Sequence, residues 1–137
     1  MERTFLDTNI LVYADDADAG RKRERAQEVL GEAIGAAVAV VSTQVLQEFF
    51  VTATRKLRVP IDIARRKVQL LSKLEVIEIS PALVLEAIDL HQRHGFSFWD
   101  ALILRSAALA RCTRLLTEDL NHGEVVSGVR IENPFTP

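Results

Sequence analysis

The stretch TFLDTNILVY, residues 4–13, decides how the rest of the chain is interpreted. A short apolar run of strand-forming residues stops at Asp7, Thr8 and Asn9 follow, and apolar residues then resume. This pattern predicts a buried strand that ends in Asp7, with Asp-Thr-Asn in the loop before a helix. Because ligands of open α/β sheets bind outside the carboxyl ends of the strands, Asp7 stands at a candidate site. Its alternative role, which Thr8 suits as well, is to cap the next helix.

The composition, 48% hydrophobic and 26% charged over 137 residues, is typical of a folded soluble protein and predicts one domain over residues 1–137. No apolar stretch reaches the roughly 20 residues that span a bilayer, and the N-terminus lacks a signal-peptide layout. The single cysteine, Cys112, excludes an internal disulfide. We therefore expect a cytoplasmic protein with no membrane partner.

With a net charge of −2, this protein cannot bind nucleic acid through an overall positive charge. An anionic substrate would need either a local basic patch or a metal ion.

The remaining hydrophobic patterns predict strands that alternate with helices. We expect strands over 37–41, 76–79, 114–117 and 129–132, the last at the edge of the sheet, and helices over 21–34, 44–57, 61–74, 80–94 and 97–110. Connections this short favour an α/β fold with a central parallel sheet of about four to five strands, flanked by helices on both faces.

The predicted helix 44–57 carries a polar stripe at helical spacing, formed by Gln44, Glu48, Thr52 and Arg55. Apolar residues flank Glu48 on both sides, so the stripe is narrow. Such a glutamate is either an exposed helix residue or one that faces a wet cleft, and residue type alone does not choose.

Two further acids occupy similar settings. Asp100 stands in the first turn of an almost wholly apolar helix, at capping-box spacing from Ser97, so a purely structural role explains it as well. Glu118 and Asp119 directly follow the predicted strand 114–117, at its carboxyl end.

In a parallel α/β sheet, Asp7, Glu48, Asp100 and Asp119 can converge at one end. Ionised carboxylates crowded in this way repel one another, and a bound cation offsets the repulsion. Oxygen ligands without cysteine or histidine favour Mg²⁺ or Mn²⁺ over zinc. A carboxylate-held magnesium ion suits the chemistry of phosphate esters.

Taken together and in order, Leu6-Asp7-Thr8-Asn9, Glu48, Phe98-Trp99-Asp100-Ala101 and Leu115-Leu116-Thr117-Glu118-Asp119 resemble a PIN domain. More narrowly, they resemble the VapC-type toxin ribonucleases of type II toxin–antitoxin modules. The resemblance covers essentially the whole chain. It implies an endoribonuclease dependent on Mg²⁺ or Mn²⁺, with an RNA substrate. The implied catalytic acids are Asp7, Glu48, Asp100 and Asp119, supported by Thr8, Asn9 and Thr117.

The resemblance also assigns roles within this set. The family pattern places the fourth acid two residues after the threonine, which favours Asp119 over Glu118. We expect Asp7 and Asp100 to hold the metal directly, Asp119 to do so directly or through water, and Glu48 to complete the pocket and orient the attacking water. Cleavage would leave a 5′-phosphate and a 3′-hydroxyl.

The implied assembly is a homodimer, neutralised by a small antitoxin that wraps the helices and places a basic side chain in the acidic pocket. The apolar pairs Phe49–Phe50 and Leu70–Leu71 are candidate partner surfaces, although a core explains them equally well. RNA backbone contacts would come from Arg55 and Lys56, or from the basic run 21–25; solvated helix faces are the alternative explanation.

Two alternatives keep the fold and change the function. One is a PIN-like scaffold that binds RNA or metal without cleavage, and the other is an RNA-processing PIN nuclease that is not a toxin. A dehalogenase-type phosphatase is disfavoured because it needs an aspartate where Asn9 stands. A receiver domain is disfavoured because no lysine follows a predicted strand.

Overall fold

Six strands form one sheet in the computed structural model, which describes residues 2–137. They are β1 (Thr4–Leu6), β2 (Ala39–Ser42), β3 (Glu75–Ile77), β4 (Arg114–Leu116), β5 (Val125–Val126) and β6 (Val129–Glu132). Their order across the sheet is β3-β2-β1-β4-β6-β5, and only the β5–β6 pair is antiparallel. The predicted α/β fold with a central parallel sheet is confirmed, although the sheet has six strands rather than the four to five expected and includes one antiparallel pair.

Six helices flank this sheet: α1 (Thr8–Asp15), α2 (Arg21–Gly35), α3 (Thr43–Arg55), α4 (Ile61–Leu71), α5 (Pro81–His94) and α6 (Phe98–Leu109). Helix α1 packs on α2 and α3, and α3 packs on α4, whereas α5 packs on α6 and α6 lies against the sheet. Right-handed crossovers between parallel strands put α1–α4 on one face and α5–α6 on the other. In the described chain, no helix combines the length and the apolarity that crossing a membrane requires.

Two local predictions were wrong. Strand β6 is not the edge, because β5 pairs outside it through a tight turn in which Ser127 and Gly128 have φ of 52° and 79°. Positive φ at both turn residues suits a two-residue hairpin, and a two-residue strand is too short to show periodicity. In addition, Thr8 and Asn9 lie in the first turn of α1 rather than in a loop, because Asp7 caps the helix directly.

The core lies on both sides of the central strands, where Phe5, Val40 and Leu115 are fully buried. Two apolar pairs, Phe49–Phe50 and Leu70–Leu71, could belong either to the core or to a partner surface. Phe49 is buried in the core, whereas Leu70 is 55% exposed.

The chain order places the site. From β1 the chain moves outward to β2 and β3, and it then returns to β4 on the opposite side of β1. The carboxyl ends of β1 and β4 therefore flank the point where the strand order reverses, which is where open α/β sheets bind ligands. The two ends are joined at this point, because the Asp7 amide donates to the Leu116 carbonyl at 3.0 Å.

Candidate active site

A cavity of about 240 Å³ opens at the carboxyl ends of β1 and β4. The structure brings all four predicted acids to it: Asp7, Glu48, Asp100 and Asp119. They come from four places in the chain, namely the end of β1, the middle of α3, the first turn of α6 and the loop after β4. Of the supporting residues predicted from the sequence, Thr8 and Asn9 also line the cavity.

Asp7 is the most deeply buried of the four acids, with 7% of its surface exposed. Its carboxylate accepts a hydrogen bond from Thr117 Oγ1 and one from the Thr8 amide, each at 2.7 Å. Burial raises the pKa of Asp7 to about 6, and the Asp119 and Glu48 carboxylates push it in the same direction, whereas the two hydrogen bonds oppose the rise. Holding this carboxylate ionised therefore carries a free-energy cost.

Glu48 faces the cavity, which settles the question left open by the polar stripe. Its Oε1 accepts a hydrogen bond from Thr8 Oγ1 at 2.9 Å. Residues 44, 48, 52 and 56, spaced four apart along α3 and just past its end, all line the cavity. Of the two residues predicted to contact the RNA backbone, Lys56 lines the cavity and Arg55 does not. Successive residues of a helix are turned by about 100°, and this turn directs the Arg55 side chain away from the cavity that Lys56 lines.

Asp119 and its neighbour Glu118 point to different places. Asn9 Nδ2 donates to Asp119 Oδ2 at 3.0 Å inside the cavity. Burial and the nearby Asp100 carboxylate raise the pKa of Asp119. Glu118 instead accepts a hydrogen bond from the Tyr13 hydroxyl at 2.6 Å and pairs with Lys22.

Thr117 is completely buried and connects two of the acids. While its hydroxyl donates to Asp7, the same oxygen accepts from the Asp119 amide at 3.2 Å. One threonine thereby sets the position of the buried carboxylate and of the loop that carries the fourth acid.

Asp100 enters the cavity from the α6 side of the sheet, and its amide donates to Ser97 Oγ at 3.1 Å. Both roles considered for Asp100 hold, since it belongs to the helix cap and lines the cavity.

Two residues at the cavity were not predicted from the sequence. Gln44 is 5% exposed and donates from Nε2 to the Trp99 carbonyl at 3.3 Å, and Trp99 is 61% exposed at the cavity mouth. The available signals were the place of Gln44 in the polar stripe and the place of Trp99 beside Asp100.

The residues present fit a hard divalent cation in donor chemistry. All four acids offer oxygen, and Asn9 adds a buried Oδ1 that has no hydrogen-bond partner. Within residues 2–137, none of the four acids forms an ion pair with a basic side chain. Over the same residues, no three Asp, Glu, His or Cys side chains form a ready-made metal cage. Mg²⁺ is usually held by one or two carboxylates and several waters, so this open arrangement suits it.

The PIN domain family model matches residues 4–126 of the sequence. The chain belongs to the PIN domain family. A comparison with curated proteins finds no match.

Solved structures with this PIN fold include toxins. The VapC20 toxin of Mycobacterium tuberculosis, described as cleaving the sarcin-ricin loop, has a TM-score of 0.69 and 20% identity over 82% of this chain and 86% of that chain. A toxin–antitoxin complex from Klebsiella pneumoniae has a TM-score of 0.69 and 24% identity over 96% and 98%. VapBC2 from Rickettsia felis, bound to a promoter DNA fragment, has a TM-score of 0.66 and 22% identity over 95% and 97%. At these identities the likeness shows a shared fold.

Proposed function

We propose that this PIN domain is a metal-dependent endoribonuclease and the toxin of a toxin–antitoxin pair. One observation carries the proposal: four carboxylates from separate elements line one cavity, and none is paired with a basic side chain in the described chain. Several uncompensated carboxylates in one cleft repel one another, and a divalent cation that binds a phosphodiester offsets that repulsion.

Asp7, Asp100 and Asp119 would hold Mg²⁺ or Mn²⁺. When bound, such an ion lowers the pKa of water and stabilises negative charge on the departing oxygen. The chain prepares two of these ligands with neutral donors: Thr117 and the Thr8 amide orient Asp7, and Asn9 orients Asp119. Neutral donors of this kind fix the carboxylates without neutralising their charge.

Glu48 acts on the nucleophile. The hydroxyl of Thr8 holds one of its oxygens, which leaves the other to orient the attacking water and take its proton. Lys56 at the cavity wall contacts the phosphate backbone of the RNA. Hydrolysis on the side of the departing 3′ oxygen leaves a 5′-phosphate and a 3′-hydroxyl.

The antitoxin would occupy an apolar groove of about 220 Å³ among α1, α2, α3 and α4. Leu30, Ile34, Leu70, Leu71 and Leu74 line much of it. Ile34 and Leu70 are 46% and 55% exposed, which suits the apolar face of a partner helix. Solved structures with this fold include toxin–antitoxin complexes, which supports a protein partner, and the exposed apolar side chains are what favour this groove for it. We also propose that residues 1–137 form one cytoplasmic domain that assembles as a homodimer.

Cleavage of RNA tests the proposal. Purified protein, freed of any co-purified partner, is incubated with a mixed cellular RNA pool in Mg²⁺ or Mn²⁺, and then in EDTA. The nearly isosteric Asp100→Asn variant is purified in parallel, because it exposes any contaminating nuclease. We expect cleavage that needs the metal and that the variant loses. A folded wild-type protein that cuts none of several RNAs would refute the nuclease, and a nuclease whose expression does not arrest growth would refute the toxin.

A further inference from the structure

A second concave surface of about 400 Å³ adjoins the carboxylate cavity. We call it the Trp99 shelf, and its residues are Gln44, Gln47, Glu48, Val51, Thr52 and Trp99. Four of these, Gln44, Glu48, Thr52 and Trp99, also line the carboxylate cavity, so the two surfaces are continuous. Whatever lies on the shelf touches the edge of the candidate active site.

The apolar part of the shelf consists mainly of the solvent-exposed indole of Trp99. Trp99 is 61% exposed and Val51, across the shelf, is 47% exposed. The indole stands edge-on to Phe98, with ring centroids 5.0 Å apart and an interplanar angle of 75°. Its backbone is fixed as well, since the Trp99 carbonyl accepts from Gln44 Nε2 and the residue lies in the first turn of α6. Most of the indole is thus open to solvent, on a backbone that the fold holds in place.

The polar part of the shelf includes an unused hydrogen-bond acceptor. Gln44 is buried, with 5% of its surface exposed, and its Oε1 has no hydrogen-bond partner among the described residues. Buried amide oxygens are normally paired, so an orphan at the wall of a cleft points to a group that arrives with a ligand. Gln47, which is exposed, adds an amide with both donors and an acceptor at the rim.

We propose that the Trp99 shelf binds one nucleobase of a single-stranded RNA, stacked on the indole and hydrogen-bonded at its edge by Gln44. This inference rests on the proposed ribonuclease function and names a substrate subsite for it. A nucleobase combines a flat π face with polar edges, which is the combination that the shelf offers. The only charged residue of the shelf is Glu48, so the backbone phosphates belong elsewhere.

The spacing along α3 agrees with a bound strand. Gln44 lies one helical turn, about 6 Å, from Glu48, and Lys56 lies two turns beyond, about 12 Å further. A strand that crosses from the shelf into the carboxylate cavity and continues along α3 would place a base on the indole, a phosphodiester at the carboxylates and a more distant phosphate at Lys56. The shelf would bind the base next to the cleaved bond.

Trp99 provides its own readout, because it is the only tryptophan in the chain. The full-length protein in EDTA, which stops cleavage, is titrated with short single-stranded oligoribonucleotides at low salt. We expect quenching of the Trp99 fluorescence. Affinities for labelled RNA are then compared between variants. We expect Trp99→Ala to weaken RNA binding about tenfold or more. The affinity of Trp99→Phe should stay within about threefold of the wild type, because stacking needs only an aromatic face. Leu109→Ala, which removes a 55% exposed side chain at the other end of α6, is the matched control and should bind normally.

Oligonucleotides that lack a single base, one position at a time, identify the ligand. At the position that occupies the shelf, loss of the base should weaken binding to the wild-type protein about tenfold. The same loss should have no further effect on Trp99→Ala, since the two changes remove one contact. Unchanged fluorescence, equal binding by Trp99→Ala, or independent effects of the two changes would overturn the proposal.

The outcomes also separate the two proposals. A wild-type protein that cleaves RNA but binds it without regard to Trp99 refutes the shelf alone. One that shows the coupling but never cleaves refutes the nuclease alone. If Trp99→Ala instead alters sedimentation and leaves RNA binding unchanged, the shelf is a self-association surface and the nucleobase assignment is wrong.

Discussion

Two charged clusters on the same sheet are built in opposite ways. In the first, which we call the Arg130 cluster, Arg130 contacts Glu2 at 2.9 Å and Glu132 at 2.8 Å, and Arg114 reaches Glu132 at 3.5 Å. Basic and acidic side chains there neutralise each other. In the second, the carboxylate cavity, the acids receive hydrogen bonds only from neutral hydroxyl and amide groups in the described residues.

The difference shows which charges the fold satisfies by itself. The Arg130 cluster combines an exposed ion pair with half-buried ones. Exposed ion pairs stabilise a protein little, and none of these pairs needs a bound ion to balance its charge. The carboxylate cavity keeps Asp7 buried at a pKa of about 6, so its charge destabilises the folded chain unless a bound cation offsets it. We interpret the first cluster as structural and the second as a site that trades stability for function.

The largest expected effect comes from removing the buried charge with Asp7→Asn. We expect cleavage to fall by about 10³-fold or more, because a proposed metal ligand is lost. We also expect the metal-free variant to be more stable than the wild type at pH 7.5 by about 2 kcal/mol, since a pKa raised from 3.8 to about 6 corresponds to about 3 kcal/mol and the new amide recovers most of it. Asparagine can still accept from the Thr8 amide.

The pH dependence follows from the same shift. Because the folded pKa of Asp7 is raised, the folded state holds its proton more tightly than the unfolded state between about pH 4 and pH 6. This contribution to wild-type stability is present below about pH 4 and is lost as the pH rises to about 6. Urea unfolding of the metal-free proteins should show a clearly larger loss in the wild type than in Asp7→Asn, in which the raised pKa of Asp119 remains. A variant that is less stable at pH 7.5 would refute our explanation.

The next effect separates two adjacent acids. Asp119→Asn should lower cleavage about 100-fold, since Asp119 lines the cavity and is a proposed metal ligand. Glu118→Gln should leave cleavage within about threefold, because Glu118 does not line the cavity and is engaged with Tyr13 and Lys22. Initial cleavage rates at saturating Mg²⁺ measure both. The reverse order would mean that the fourth acid has been assigned to the wrong residue.

A smaller effect is expected from the neutral donors. Thr117→Val removes the hydroxyl that donates to Asp7 while keeping the side-chain shape. We expect it to destabilise the fold by about 1–3 kcal/mol and to lower cleavage about tenfold, because a buried carboxylate loses a donor and the Asp119 loop loses an acceptor. Thr117→Ser, which keeps the hydroxyl, should retain most of both. Equal losses in the two variants would point to packing rather than to the hydrogen bonds.

The smallest effect should come from the Arg130 cluster. Arg130→Gln removes the centre of that cluster, whose ion pairs are exposed or half-buried. We expect no change in cleavage and a loss of stability smaller than that of Thr117→Val, which disappears at high salt. Cleavage rates and urea midpoints at low and high salt measure it. A loss of activity here would show that the two clusters are coupled.

The sequence predicted the parts of the site that depend on chain position. Asp7 and Asp119 follow strands, and strand ends in a parallel sheet meet at one edge, so their convergence could be expected from the sequence alone. Asp100 could be expected in the first turn of α6 because it stands at capping-box spacing from Ser97. Whether these acids catalyse a reaction stays a prediction.

The parts that depend on side-chain rotation were harder to foresee. Arg55 and Lys56 look equivalent in the sequence, but the rotation of α3 sends only Lys56 to the cavity. Gln44 and Trp99 are 55 residues apart, and their contact depends on how α3 and α6 meet across the sheet. The β5–β6 hairpin escaped prediction because two valines before a Ser-Gly turn are too few to show a strand period.

Calorimetric titration of the metal-free protein with Mg²⁺ and Mn²⁺ at pH 7.5 tests the central claim most directly. Wild type and Glu118→Gln should show saturable binding, whereas Asp7→Asn and Asp119→Asn should show binding that is at least about tenfold weaker. That result would establish the carboxylate cavity as the cation site. Binding that is undetectable in the wild type, or that is unchanged in Asp7→Asn, would contradict the account.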